Sequence, residues 1–194
     1  MSELFVNKIQ SHTDANNHIE VASGHTLYAP GHVIQTQHAT TNARTSVSGV
    51  TFSSLLTLNI TPKSSSSKIL ITCMFNGACT ERYGAIKLYR TIGATTTQIA
   101  KNDSNLGNRV PVWFEVMGNQ TIWSGDSWIY QTYNHHGTFY DSPSTTSQIT
   151  YAIYGGNTNN SPSVFWMNRQ TYGDDNAGWN HRTQTNLTAQ EIAQ

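Results

Sequence analysis

The chain has 194 residues, of which 11% are charged, against roughly 25% in an average soluble protein. Eleven Lys plus Arg balance eleven Asp plus Glu, and no basic run is present to neutralise phosphates, which argues against a nucleic-acid partner. Ser, Thr, Asn and Gln supply 74 residues, yet 37% hydrophobic and 10% aromatic content leaves enough for a core and excludes wholesale disorder.

No apolar stretch approaches the roughly 18–20 residues of a membrane span, so no membrane insertion is expected. The opening Met1-Ser2-Glu3-Leu4-Phe5 lacks the basic-then-apolar layout of a secretion signal. Two cysteines, Cys73 and Cys79, are too few for a disulfide scaffold or a structural zinc site. They are expected to pack as small apolar residues in or beside a strand.

In chain order, the first 40 residues are polar with single apolar anchors (Val6, Ile9, Ile19, Val21, Leu27, Ile34). Such a segment cannot bury a core alone, and it reads as a stalk or docking arm wound with copies of itself. His12, His18, His25, His32 and His38 recur every six or seven residues. A ring of such histidines about a threefold axis would suit an ion, but the His-x-His alternation usual for such rings is absent, so no metal is assigned. The boundary is placed so that residues 1–45 form the arm and 46–194 the β-domain.

Beyond the arm, β-branched and aromatic runs alternate with Ser/Gly/Asn/Pro punctuation, and no helical period is seen. Strands are expected near 33–38, 55–61, 68–76, 82–90, 96–100, 110–117, 127–133, 147–154, 163–169 and 182–188. The fold class is therefore all-β, a β-sandwich. In Lys68–Phe75, Ile69, Ile71, Cys73 and Phe75 share one face while Leu70 and Met74 occupy the other. Val164–Met167 and Val112–Phe114 also carry bulk on both sides. Strands apolar on both faces need a second cover; with no helix expected, a neighbouring subunit is the simplest cover and long loops are the alternative.

Catalysis finds no purchase. Asp174 and Asp175 are adjacent carboxylates in a Gly/Asp/Asn loop, and neighbours in a loop usually point apart. His135-His136 lacks Cys, Asp or Glu at ligand spacing and reads as part of a binding loop or exposed turn. No nucleophile elbow, zinc-protease motif or phosphate loop is present, so the chain reads as a non-enzyme with no cofactor. Aromatic rings beside polar side chains can stack on and hydrogen-bond a sugar. Tyr133, His135, His136, Asp174, Asp175 and Trp179 are thus the candidates for binding a glycan or receptor. A stand-alone carbohydrate-binding module is the alternative.

Several segments resemble the fibre-like virion structural proteins of tailed bacteriophages. They are the opening Met1–Ile9, Gly31-His32-Val33-Ile34-Gln35, the module Leu58-Asn59-Ile60-Thr61-Pro62-Lys63 followed by Ser64–Ser67 and Lys68-Ile69-Leu70, Tyr140–Tyr151, Met167-Asn168-Arg169, and the closing Leu187–Ile192. The chain departs from the pattern at Gln190, where relatives often have Met, and in the arm's histidine content. The resemblance implies a homotrimeric tail or head (capsid) fibre with a jelly-roll-like β-domain. Its arm would dock on other virion proteins, with Leu4, Phe5, Val6 and Ile9 as candidate docking residues. A host-surface glycan is a possible further partner, the virion is the expected location, and no catalytic residue is implied.

Overall fold

The computed structural model describes residues 29–80, 83–102, 107–116, 132–159, 163–170, 178 and 181–194. These contain eleven strands and no helix: β1 (Val33–Thr41), β2 (Thr45–Ser48), β3 (Phe52–Ile60), β4 (Lys68–Cys79), β5 (Gly84–Ile92), β6 (Thr95–Ile99), β7 (Phe114–Val116), β8 (Tyr133–Asp141), β9 (Ile149–Asn157), β10 (Val164–Met167) and β11 (Thr185–Ile192). Thus no described helix is long and apolar enough to cross a membrane.

All strand pairs are antiparallel, and they form two sheets. In the first, β10 and β11 lie end to end along one side of β4: Leu187 faces Cys73 and Trp166 faces Ala78. β1 and β2 flank them in turn, and β8 lies on the other side of β4. The order across the sheet is therefore β1/β2, β11/β10, β4, β8. In the second sheet β6 and β7 share one side of β5, giving β3, β9, β5, β6/β7. The chain crosses between sheets at β2–β3, β3–β4, β4–β5, β7–β8, β8–β9 and β9–β10.

Between the sheets lies one core. Ile69, Ile71, Cys73 and Phe75 of β4 meet Ile149, Tyr151 and Ile153 of β9 and Ile86 and Leu88 of β5, with Phe165, Met167 and Leu187 from the first sheet. Alternation explains the selection, since every second residue of a strand faces inward. Both cysteines are buried thiols outside any disulfide, as their apolar neighbours suggested; Cys79 Sγ donates to Asn157 Oδ1 at 2.9 Å, and burial pushes the Cys73 thiol up to about 12.

The strand expected near 33–38, within the span given to the arm, is β1 of the first sheet, with His38 opposite Thr188 and Ala39 opposite Leu187. Its apolar content is low because it edges the sheet and needs only Ala39 against the core. The pair His135-His136, expected in a loop or exposed turn, lies in the middle of β8. Gly137 looks like a breaker there, but a Cβ at 137 would come within 2.7 Å of the Phe114 and Trp113 rings. The glycine lets those aromatics of the second sheet close onto β8.

Polar side chains buried in this frame act as local fasteners. Glu191 is buried and accepts from Lys63 N at 2.8 Å, Ser64 N at 3.3 Å and Gln35 Nε2 at 2.6 Å, holding the connector between β3 and β4. Asn168, at φ 60°, donates to the Thr41 and Ala43 carbonyls at 2.9 and 3.0 Å and accepts from Thr185 Oγ1 at 2.8 Å. It thereby joins the end of β10 to the turn after β1 and to the start of β11.

Candidate functional surface

The outer face of the first sheet is built by the residues that alternate with the core. Register lines them up in rows. Thr36, Gln190, Leu70 and Tyr140 form one row; His38, Thr188, Thr72 and Thr138 the next; Thr40, Asn186, Met74 and His136 the third. None of these twelve residues is an Asp, Glu, Lys or Arg.

The face has two halves of different chemistry. Over β1 and β11 it is a lattice of neutral hydrogen bonds: His38 Nδ1 pairs with Thr188 Oγ1 at 2.9 Å, and Thr40 Oγ1 donates to Asn186 Oδ1 at 2.7 Å. Over β4 and β8 it carries Leu70 and Met74, both partly exposed, and Tyr140, at 49% exposure. Further along, the partly exposed Val164 and Trp166 of β10 continue the apolar track, and the Arg169 guanidinium lies 4.2 Å over the Trp166 ring. Leu70 and Met74 therefore sit where the two-faced pattern of β4 places them.

The outer face of the second sheet carries charge nearer its centre. Lys87 Nζ stands 4.0 Å over the Phe52 ring, and burial lowers its pKa. Tyr89 and Tyr154 pack beside it at 4.6 Å between ring centres.

The described sequence-predicted site residues divide between the two faces of β8. Tyr133 and His135 point between the sheets, where the His135 ring lies parallel to that of Phe114 at 6.4 Å and equally far from Phe75 and Tyr133. Burial, and secondarily the neighbouring His136, lowers the pKa of His135, which keeps its imidazole neutral. His136 projects from the opposite face of β8. Asp174, Asp175, Trp179, Leu4, Phe5, Val6 and Ile9 lie outside the described residues, as do Trp123 and Trp128. Among the described residues no group of three or more His, Cys, Asp or Glu is placed to hold a metal ion.

Sequence reasoning passed over the polar half of the outer face. Its signal was present in Asn186, Thr188 and Gln190 alternating with Leu187, Ala189 and Glu191, a period of two that marks an exposed face beside a buried one.

No protein-family model matches the chain, and no curated protein matches it. Among solved structures, a chain from "Structure of infectious bursal disease virus Gx strain" is 10% identical with a TM-score of 0.36. The alignment covers 95% of this chain and 46% of that one, so this chain spans less than half its length.

Proposed function

We propose that the protein is a non-enzymatic virion structural protein of a tailed bacteriophage, a homotrimeric tail or head fibre. In this reading the segment before β1 docks on other virion proteins, and the β-domain is displayed for decoration or attachment to a host-surface glycan.

The observation that carries the reading is the three neighbouring rows on the outer face of the first sheet, twelve residues with no Asp, Glu, Lys or Arg. Depletion of charge, with aromatic and Met residues enriched, distinguishes the centre of a subunit interface from ordinary surface. Leu70, Met74 and Tyr140 beside a row of Thr, Asn and Gln fit that composition. Association would also shield unpaired strand edges, which otherwise recruit other chains.

Strand order supports a jelly roll. With β1/β2, β6/β7 and β10/β11 each taken as one lane, the lanes in chain order run 1-8-3-6 in the first sheet and 2-7-4-5 in the second. That is the arrangement of two Greek keys wrapped together, common in capsid and lectin domains. The segments resembling phage fibre proteins point the same way. A stand-alone carbohydrate-binding module is less well supported, because Tyr133 and His135 lie on the opposite face of β8 from His136.

Sedimentation of the full chain at micromolar concentration tests the assembly. A species of three times 21.5 kDa is expected, and a stable monomer would overturn the trimeric fibre.

A further inference from the structure

On the second sheet, at the end where β5 begins, lies a cleft of about 500 Å3. Its sides are contributed by Tyr83, Asn108, Arg109, Glu115, Thr158 and Asn159. We infer that this cleft binds a saccharide bearing a carboxylate, with Arg109 holding the carboxylate and Tyr83 stacking on the ring. The inference rests on the proposed attachment to a host-surface glycan and names the class of glycan.

The placement is set by strand pairing. Glu115 of β7 lies opposite Ala85 of β5, and both alternate with core residues, so they face outward from the second sheet. Ala85 is buried, and its methyl group contributes to the cleft lining. Thr158 fastens the neighbouring loop: its N–H donates to the Tyr83 carbonyl at 2.9 Å, and its hydroxyl reaches the same oxygen at 3.3 Å. The Tyr83 ring is therefore presented from an anchored backbone at 37% exposure.

The chemistry of the lining selects the ligand. A volume of this size accommodates a small ligand. Amide, hydroxyl and carboxylate groups on several sides offer both donors and acceptors, as a polyhydroxylated ring requires. Tyr83 gives an apolar ring face with a polar edge, suited to packing against sugar C–H groups. Among the described residues of the lining, Arg109 and Glu115 are the formally charged ones, and neither has an ion-pair or hydrogen-bond partner among the described residues. A lone solvated arginine is ordinary; an arginine and an acid that border one cleft without pairing leave a guanidinium fork open to an incoming anion. The fork matches a planar carboxylate bidentately. With Glu115 lining the same cleft, a monoanion is favoured over a phosphate dianion, because repulsion grows with ligand charge.

The test is a glycan array carrying hexuronic and nonulosonic acid oligosaccharides beside their carboxyl-reduced counterparts, probed with the full-length protein and followed by titration of retained glycans. The wild type is expected to prefer the acidic forms by roughly tenfold or more, as for loss of a charge-assisted hydrogen bond. Arg109→Gln abolishes that preference, and Tyr83→Ala weakens binding of both forms. Both variants keep the wild-type melting temperature and sedimentation coefficient, so failure here is distinguishable from failure of the trimer. Absence of any retained acidic glycan, equal retention of reduced glycans, or an unchanged preference in Arg109→Gln would overturn the proposal.

Discussion

The phenol of Tyr151 donates to Asp141 Oδ2 at 2.7 Å and so ties β9 of the second sheet to the end of β8 in the first. Arg90 of β5 closes the other side, Nη1 donating to Asp141 Oδ1 at 2.7 Å, and Ser142 N donates to the same oxygen at 2.9 Å. Burial first, then the Asp141 charge, pushes the Tyr151 pKa far above the usual tyrosine value, so the phenol remains a donor across the working pH range. Asp141→Ala is expected to cost about 3 kcal/mol, because it strands a partly buried arginine and a buried hydroxyl. Tyr151→Phe is expected to cost about 1 kcal/mol. In urea titrations the double variant should be no less stable than Asp141→Ala alone, since Tyr151→Phe removes the hydroxyl that Asp141→Ala leaves without its acceptor. Additive losses would show that the two residues act independently.

Gly137 separates two kinds of steric constraint. A Cβ there would lie 2.6 Å from Phe114 Cε1 and 2.7 Å from Trp113 Cε2, both side-chain atoms. At Gly156 it would lie 1.9 Å from the Thr51 carbonyl oxygen, which belongs to the backbone. Gly137→Ala is thus expected to cost about 1–3 kcal/mol by overpacking, and a second change, Phe114→Leu, should recover part of it. Gly156→Ala has no comparable rescue, because β3 itself would have to move. Thermal melts of the three variants check the contrast.

Much of the sandwich was legible because alternation in β3, β4, β9 and β11 is strong. Leu58, Ile60, Ile69, Ile71, Ile149 and Leu187 stand at period two and are buried. Two strands were not legible. β2 is Thr-Ser-Val-Ser with one buried residue, Val47, too little pattern for periodicity to register. β8 reads Tyr-Asn-His-His-Gly-Thr-Phe-Tyr-Asp, in which Asn, Gly and Asp are poor strand formers. Its strand is supported by long pairing with β4 and by aromatics arriving from β7, contacts that local propensity does not encode. The same oversight grouped His135 with His136 as one binding surface, whereas a strand points successive side chains to opposite faces. Arg109 and Glu115 were passed over because only the pairing of β7 with β5 and the path of the preceding loop bring them to one cleft.

His135 makes stability depend on pH. Burial and the charge of His136 lower its pKa from the usual 6.5, so the folded chain resists a proton that the unfolded chain accepts. The contribution is fully present above the unfolded value and is lost as pH falls from there towards the lower folded value. Melting temperature should therefore drop as pH falls through the usual histidine value of 6.5, above the ordinary carboxylate range. His135→Gln should flatten that part of the profile while retaining a polar group beside Phe114. An equally steep profile in the variant would assign the pH dependence to another histidine.

If the outer face of the first sheet is the subunit interface, charge introduced there should separate the copies without unfolding them. Leu70 and Met74 are partly exposed in one chain, so a lysine at either position can reach solvent in an isolated copy. In an assembly the same ammonium would be buried without a partner, at a cost of several kcal/mol per ion. Burying each native side chain is worth about 1.5–3 kcal/mol when complete, so the substitution both removes attraction and adds repulsion. Leu70→Lys and Met74→Lys are expected to sediment at 21.5 kDa with β-type circular dichroism unchanged. Thr57→Lys, at an exposed position on the second sheet, should leave the assembly intact. Dissociation by Thr57→Lys and not by the other two would move the interface to the opposite sheet.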